Sequence, residues 1–509
     1  MTVQHLATWA AAAPDRPAVI TQDSVGFRTY AELEARSNRL AQHFRSIGLH
    51  TGDHVAVLVE NRTEFLEITW AALRTGLYLT PINWHLAEAE AAYIVDDCGA
   101  SVLIGSSTFA PLLRELDTPA RHGRSIVVGE PVAGYVDYEE ALAAQPPTPV
   151  DDGCEGMWMF YSSGTTGRPK GIKPPGIGGP LGAPTSFVGL AGGLYGIGED
   201  SVYLSPAPLY HAAPSGWTNA VHRLGGTVVL MEQFDAEEAL RLIEAHRVTH
   251  VQFVPTHFVR MLKLPPEVRA RYDLSSLRTV IHAAAPCPPQ VKWDMLEWFG
   301  PIVYEFYSGS EGVGFCAISP QEWIEHPGSV GRSLMGAAHV LDDDGVELPA
   351  GEHGQIWFES PGRFEYHGDA EKTAAAFNDR GWSSLGDMGT LDADGYLYLT
   401  DRVSNMIISG GVNIYPREVE DVLVLHEGVV DVAVVAVPDP DMGEAVRALV
   451  QPITTPTDPV AFEAALIGYC HERLSHFKCP RSVVFVDELP RLPTGKLAKR
   501  MLPPELLAP

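Results

Sequence analysis

Residues 161–171 read Y-S-S-G-T-T-G-R-P-K-G, a short run that combines glycines, hydroxyl side chains and two cations. The apolar residues 157–160 precede it directly, and this pattern predicts a strand that runs into an exposed loop. Glycine allows backbone N–H groups to turn toward one point, while the hydroxyls, Arg168 and Lys170 add donors and positive charge. The run therefore predicts a binding site for a polyphosphate. Its spacing differs from the P-loop motif G-x-x-x-x-G-K-[ST].

The composition limits the class of protein. At 509 residues the chain is too long for one ordinary core, which predicts roughly two to four domains. Its 64 acidic and 36 basic residues give a net charge of −28, which argues against nucleic acid or an anionic membrane as a partner. The six scattered cysteines lack a C-x-x-C motif and favour a reducing cytoplasm. With no signal pattern and no long apolar run, we predict a cytoplasmic protein without a membrane span.

Helix-like and strand-like segments alternate along most of the chain. In the N-terminal part we predict helices at 29–44, with Thr29 as N-cap, and at 64–74. The predicted strands are 55–59, 77–81, 102–105, 126–129, 228–232, 251–255 and 280–284, with a helix at 236–246 between two of them. This βαβ order predicts mainly parallel sheets covered by helices. Residues 173–193 show too little periodicity for an assignment.

The C-terminal part of the sequence predicts a compact α+β unit. The predicted strands are 432–437, 448–452 and 483–486, and the predicted helices are 416–425 and 459–474. Between the two parts, a strand at 396–400 ends close to Asp401-Arg402, and G-G follows at 410–411.

Further short motifs accompany the glycine-rich loop. They are P-L-Y-H at 208–211, H-A-A-A-P at 282–286, Y-S-G-S-E at 307–311, G-W-S-S-L-G-D at 381–387, D-R at 401–402, G-G at 410–411 and P-T-G-K at 493–496. Together they resemble the motifs of the adenylate-forming superfamily, which contains acyl-CoA synthetases, peptide-synthetase adenylation domains and luciferases. The resemblance covers nearly the whole chain. The sequence departs from the family pattern at Ser308, Ser310 and the alanines of 283–285, and at Ser404, where the family usually has Asp or Lys.

The resemblance implies a role for each motif. The implied phosphate contacts are Ser162, Ser163, Gly164, Thr165, Thr166, Gly167, Lys170 and Ser310. The implied adenosine contacts are Ala284, Ala285 and Tyr307 for adenine, Asp387 for ribose and Arg402 for ribose and phosphate. Glu311 and Thr165 would be ligands of Mg²⁺. Lys496 would carry the adenylation step, His211 would face the acyl pocket, and Gly410 and Gly411 would line the tunnel for coenzyme A.

The C-terminal cations offer a site for the remote end of coenzyme A. His476, Lys478 and Arg481 lie close together in sequence and could hold its 3′-phosphate, although a solvated charge run explains them equally well.

The resemblance also implies a domain organisation. We expect an α/β fold with a large N-terminal domain, residues 1–403, of mainly parallel sheets plus a β-barrel-like subdomain. A small mobile α+β domain, residues 404–509, would carry Lys496 and rotate about a hinge near Ser404. Many family members are dimers, so the resemblance allows a homodimer, and the sequence leaves the oligomeric state open.

The implied function is that of an ATP-dependent acyl-CoA synthetase, closest to the fatty-acid CoA ligases. We expect the acyl pocket among residues 211–217, 253–260 and 307–315, which are largely apolar, and hence an apolar monocarboxylic acid as substrate. The small residues Ala212, Ala213, Ser215 and Gly216 could make room for a bulky ring, so an aryl or polycyclic acid is an alternative. Loading of a carrier protein instead of coenzyme A also stays open, as does luciferase-type chemistry. The joint presence of Lys496, Glu311 and Asp387 argues against a non-catalytic binding protein.

Overall fold

The computed structural model describes residues 4–23, 27–162, 169–359, 363–402, 405–410, 412–440, 442–491 and 497–508. The largest sheet has nine strands. In sheet order they are Arg332–Ser333, Cys316–Ile318, Val303–Tyr307, Thr279–His282, His250–Phe253, Val202–Ser205, Thr227–Leu230, Pro17–Thr21 and Arg28–Thr29. The strands from Val303–Tyr307 to Pro17–Thr21 run parallel, and those at both edges run antiparallel. The central strands are buried because helices cover both faces, which explains their continuous apolar sequence.

The second large sheet has six strands, all parallel. In sheet order they are Val136–Asp137, Ile126–Val128, Val102–Ser106, His54–Leu58, Tyr78–Pro81 and Met157–Trp158. The helices of the two sheets are Leu6–Ala12, Tyr30–Ser46, Thr63–Leu73, Glu88–Asp97, Ala110–Leu116, Tyr138–Ala143, Ser186–Gly193, Ala212–Arg223, Ala236–His246, Pro255–Leu262, Pro266–Arg269, Pro289–Phe299 and Pro320–Glu325, with a 3₁₀ turn at Ser107–Phe109. The predicted helix at 236–246 is confirmed to the residue, whereas Ser186–Gly193 lies in the segment left unassigned.

Two smaller antiparallel sheets stand beside the large ones and correspond to the predicted β-barrel-like subdomain. One has the order Glu365–Tyr366, Lys170–Lys173 and Phe160–Ser162. The other has the order Ala337–Leu341, Gly354–Glu359, Asp387–Leu391 and Leu397–Arg402, with the helix Ala370–Ala375 nearby. The prediction of a single strand before the glycine-rich loop is wrong in one respect. It is split, because Met157–Trp158 pairs with the six-stranded sheet while Phe160–Ser162 turns into an antiparallel hairpin.

The C-terminal unit is built on a five-stranded sheet. Its strands are Val412–Ile414, Ile407–Ser409, Gly443–Pro452 and Val429–Asp439, with Ser482–Phe485 added parallel to Gly443–Pro452. The helices Pro416–Leu423 and Pro459–His471 pack on it, and 3₁₀ turns lie at His476–Lys478, Lys499–Met501 and Pro504–Leu506. The predicted fold class is thereby confirmed. The boundary at 403/404 stays a prediction, since both residues lie outside the described part of the chain.

No helix of the described residues is both long enough and apolar enough to cross a membrane.

The helix Tyr30–Ser46 begins at the predicted cap. The Thr29 hydroxyl accepts a hydrogen bond from the Glu32 amide at 3.1 Å, and the Glu32 carboxylate accepts one from the Thr29 amide at 2.8 Å. This reciprocal capping box satisfies backbone donors that the helix itself cannot pair.

Thr29→Ala removes one half of this box. We expect a loss of about 1 kcal/mol of stability, seen as a lower urea midpoint by circular dichroism. Thr455→Ala, at an exposed threonine, is the matched control and should leave the midpoint unchanged. Equal midpoints for both variants would show that the cap contributes nothing.

Candidate functional site

The sequence motifs meet at the carboxyl ends of the parallel strands in the nine-stranded sheet. Ala284 follows the strand Thr279–His282, Tyr307 ends the neighbouring strand Val303–Tyr307, and His211 follows Val202–Ser205. Ligands of open α/β sheets bind at this end of the strands, since the connecting loops there diverge and leave a crevice.

Ala284 has an unusual backbone conformation. Its φ is +75°, in the left-handed region, and among the described non-glycine residues only Arg247 shares a positive φ. A side chain at such a φ costs roughly 1–2 kcal/mol, which glycine avoids. Ala284 is exposed and Ala285 is half-buried, so the strained turn presents its backbone at the surface of the crevice. Strain of this kind concentrates at ligand sites.

Tyr307 and Asp387 are joined across two sheets. The Tyr307 hydroxyl donates to Asp387 Oδ2 at 2.6 Å, and Asp387 is 9% exposed. Asp387 also lies directly opposite Arg402 in the pairing of Asp387–Leu391 with Leu397–Arg402. The structure therefore brings together the residues predicted to bind adenine and ribose, although the Arg402 side chain is outside the described part.

Lys170, Tyr366 and Glu311 form a second linked group. The Lys170 ammonium lies 4.9 Å from the centre of the Tyr366 ring, and the Tyr366 hydroxyl donates to Glu311 Oε1 at 3.1 Å. Lys170 stands opposite Ser162 at the base of the glycine-rich hairpin. The sequence motifs do not single out Tyr366, because its contacts with Lys170 and Glu311 depend on the pairing of Glu365–Tyr366 with Lys170–Lys173, two segments that are remote in sequence.

His211 is the N-cap residue of the helix Ala212–Arg223. Burial, together with the nearby His85, lowers the pKa of His211 to about 3, so its imidazole is neutral at pH 7. Its Nε2 is buried and has no hydrogen-bond partner among the described residues.

Ser310 is exposed beside Glu311.

The predicted acyl-pocket residues divide into two groups. Trp217, Phe253 and Phe258 are fully buried and belong to hydrophobic cores. Ser215 donates to the Leu209 carbonyl, and a Cβ at Gly216 would lie 3.1 Å from the Phe187 ring. Their small size serves internal packing. Ala212 and Ala213 are half-buried beside His211.

A buried ion pair lies between the helix Pro289–Phe299 and the strand Val303–Tyr307. Lys292 Nζ contacts Glu305 Oε2 at 2.6 Å, and His282 Nε2 approaches the same oxygen at 3.3 Å. Burial lowers the pKa of Lys292, and the Glu305 carboxylate opposes that shift. The pair joins the helix after the Ala284 turn to the strand that ends at Tyr307. Sequence patterns do not reveal it, since a lone lysine in a helix normally faces solvent.

The C-terminal unit contributes Gly410 and a set of cations. Gly410 has φ +58°, and a side chain there would collide with Met442. Lys478 is paired with Glu418, and Arg481 with Asp439 at 3.1 Å. A cavity of about 380 Å³ lies beside His476 and Arg481. A phosphate at this cavity would compete with acidic partners that the sequence alone did not show.

The remaining predicted site residues lie outside the described part of the chain. They are Ser163, Gly164, Thr165, Thr166, Gly167, Gly411 and Lys496, together with Ser404 of the expected hinge. Their roles stay predictions.

The strain at Ala284 can be measured. Ala284→Gly should raise the free energy of unfolding by about 0.5–1 kcal/mol, seen as a higher urea midpoint, because relief of the left-handed side chain outweighs the extra chain entropy of glycine. Ala285→Gly, one residue along and without a positive φ, is the control and should lower the midpoint. If both glycine variants were destabilised alike, Ala284 would carry no strain.

Comparisons with known proteins agree with this arrangement. A family model described as AMP-binding enzyme matches residues 6–366, and one described as AMP-binding enzyme C-terminal domain matches residues 418–496. Feruloyl-CoA synthase from Amycolatopsis sp is 35% identical over 481 residues, or 92% of each chain. The long-chain-fatty-acid–CoA ligase FadD13 of Mycobacterium tuberculosis H37Rv is 32% identical over 485 residues, covering 93% of this chain and 92% of that one.

A solved structure shows the same likeness in three dimensions. ATP-bound MatB from Rhodopseudomonas palustris superposes with a TM-score of 0.81 at 27% identity, covering 98% of both chains. The predicted resemblance is confirmed. The chain belongs to the family of AMP-binding enzymes, and within it to the AMP-forming acid–CoA ligases.

Proposed function

We propose that this enzyme activates an apolar monocarboxylic acid with ATP and passes the acyl group to coenzyme A. One observation carries the proposal furthest. Two linked groups lie on either side of the short turn 308–310. The first is Tyr307 with Asp387, and the second is Glu311 with Tyr366 and Lys170. A nucleotide base and ribose at the first group would direct the phosphates toward the second.

The residues present fit a magnesium ion. Glu311 Oε1 accepts from Tyr366, while Oε2 accepts no hydrogen bond from the described residues. The described residues hold no group of three or more His, Cys, Asp or Glu side chains able to bind a metal alone. Mg²⁺ is commonly held by one or two carboxylates together with substrate phosphates, so Glu311, with Thr165 as predicted, suffices. When bound, the ion would neutralise charge on the pyrophosphate leaving group.

The adenylation step needs positioning more than covalent catalysis. A carboxylate oxygen of the acid attacks the α-phosphorus of ATP, the bond to the β-phosphate oxygen breaks, and acyl-AMP and pyrophosphate result. Lys170 and the loop residues Ser162–Gly167 would hold the phosphates, and Lys496 would lie between the carboxylate and the α-phosphate. Asp387 and Arg402 would hold the ribose, with the Ala284–Ala285 backbone and Tyr307 on the adenine.

The thioester step would use the C-terminal domain. We propose that residues 404–509 rotate about the hinge near Ser404, which withdraws Lys496 and brings Gly410 and Gly411 to the acyl-AMP. The thiol of coenzyme A then attacks the acyl carbonyl, AMP leaves, and the proton of the thiol is lost to solvent. The cavity near His476 and Arg481 would bind the 3′-phosphate of coenzyme A, and that phosphate would have to displace Asp439 from the Arg481 guanidinium.

The acyl group is the least defined part of the proposal. The half-buried Ala212 and Ala213 beside a neutral His211 support an uncharged, apolar acyl chain or ring. The names of the two relatives cover a feruloyl and a long-chain fatty acyl group, so linear and aromatic acids both belong in any test. All six cysteines are free thiols, which agrees with a reducing cytoplasm. A homodimer stays part of the proposal.

Asp387→Asn tests the ribose contact. The amide keeps an acceptor for Tyr307 but removes the charge, so we expect the KM for ATP to rise about tenfold with the fold intact. Asp394→Asn, at an exposed turn of the same subdomain, should leave KM unchanged. An unaltered KM in Asp387→Asn would remove this residue from the nucleotide site.

Pyrophosphate release with linear, aromatic and polycyclic acids, with and without coenzyme A, tests the function itself. We expect release that depends on the acid, falls at least about a hundredfold in Lys496→Ala and yields acyl-CoA when coenzyme A is present. Lys499→Ala is the matched control, because Lys499 is a nearby lysine paired with Glu420 at 2.8 Å.

The outcomes separate the alternatives. Release without any coenzyme A product would favour a carrier protein as acceptor. Turnover of linear acids alone would exclude the bulky-ring alternative. The proposed function would be wrong if no acid of any class supported release by the folded protein.

A further inference from the structure

Tyr366 is the one side chain of the described residues that contacts both Lys170 and Glu311. We propose that Tyr366 is a positioning residue that sets the metal-binding carboxylate of Glu311 and the phosphate-binding ammonium of Lys170 at a fixed separation. The inference rests on the proposed function, because it assigns Mg²⁺ and ATP phosphates to these two groups.

The hydroxyl of Tyr366 orients Glu311. It donates to Oε1 at 3.1 Å, so the carboxylate is held through one oxygen and the other stays available to a cation. Gly309 leaves room for that second oxygen, since a Cβ at this position would lie 2.8 Å from Glu311 Oε2. A hydrogen-bonded carboxylate is pre-oriented, and partners of this kind are part of most metal sites.

The ring of Tyr366 supports Lys170. At 4.9 Å from the ring centre, the ammonium is within range of a cation–π attraction. Lys170 makes no ion pair with the described residues, although Asp369 interacts with it electrostatically, and the uncharged ring leaves the charge of the ammonium available to a phosphate. A carboxylate in the place of the ring would compensate that charge and weaken anion binding.

The surroundings hold Tyr366 itself in place. Its backbone pairs with Ile172 in the small antiparallel sheet, and its amide donates to Thr373 Oγ1 at 3.0 Å. Its ring packs edge to face on Phe364 at 5.1 Å between centroids. The first two contacts fix the backbone of Tyr366 and the third restrains its ring, and a side chain held in this way can transmit position, whereas a mobile one cannot.

Direct nucleotide binding tests the inference without any acid substrate. ATP affinity is measured by calorimetry across a magnesium series and in EDTA, for wild type, Tyr366→Phe and Tyr366→Leu. Tyr366→Phe keeps the ring and should raise the magnesium concentration for half-maximal effect about tenfold, with unchanged affinity in EDTA. Tyr366→Leu should show the same rise and also weaken ATP binding in EDTA about two- to fivefold.

Two controls separate positioning from folding. Tyr398→Phe removes a tyrosine hydroxyl that donates to Asp392 at 3.3 Å elsewhere in the subdomain, and should match wild type. In a Glu311→Gln background, the change Tyr366→Phe should have little further effect on magnesium dependence, because the hydroxyl acts through that carboxylate.

Two results would overturn the inference. One is a Tyr366→Phe protein whose ATP binding has the magnesium dependence of wild type. The other is an equal change in magnesium dependence when Tyr366→Phe is made with Glu311 and with Glu311→Gln. Neither result touches the proposed function, which pyrophosphate release judges separately. A wild-type protein that binds no ATP at any magnesium concentration would overturn both.

Discussion

The buried contact between Lys292 and Glu305 holds together the helix and the strand that flank the proposed nucleotide site. Lys292 lies on the helix Pro289–Phe299 that follows the Ala284 turn, and Glu305 lies on the strand that ends at Tyr307. The Lys292 side chain is fully buried, and Glu305 is 9% exposed. Removal of one partner from such a pair typically costs about 3–5 kcal/mol, because the other charge is left without compensation. The spacing of Ala284 and Tyr307, which we propose as adenine contacts, therefore depends on this ion pair.

Tyrosine hydroxyls connect the large sheet to the smaller ones. Tyr307 reaches from the nine-stranded sheet to Asp387, and Tyr366 reaches back from the small hairpin sheet to Glu311. Both bonds end on carboxylates, and hydrogen bonds to charged acceptors are stronger than those between neutral groups. The two links fix the subdomains to one another, and each ends at a carboxylate that the proposed mechanism uses.

Among the described residues, several polar contacts join the C-terminal unit to the rest of the chain. Lys263 donates to the Val429 carbonyl, Arg417 Nη1 donates to the Leu399 carbonyl at 2.8 Å, and Asp401 accepts from the Arg417 amide at 3.3 Å. Contacts of this kind exchange readily with water, unlike a continuous apolar interface. They are compatible with the proposed rotation.

The sequence by itself determined the class of fold, the family and the order of the motifs. The hydrophobic period of a helix and the residue types at its cap are local properties. For this reason the helix Ala236–His246 and the cap at Thr29 could be predicted directly from the sequence. Short motifs identified the family, because the residue types and spacings within a short motif are visible without knowledge of the fold. These motifs are the glycine-rich loop, Y-S-G-S-E and the aspartate at 387. The motifs also predicted Ala284 and Asp387 as contacts of adenine and ribose, and these roles stay predictions.

Only the tertiary structure decided which remote residues touch. Tyr366, Lys292 and the acidic partners of Lys478 and Arg481 have no local signature, since each depends on strands or helices that are distant in sequence. The same holds for Trp217, Phe253 and Phe258, where apolar character predicted a pocket and packing placed the rings in the core. A hydrophobic side chain fits either environment, and the neighbours that choose between them are brought together only by the fold.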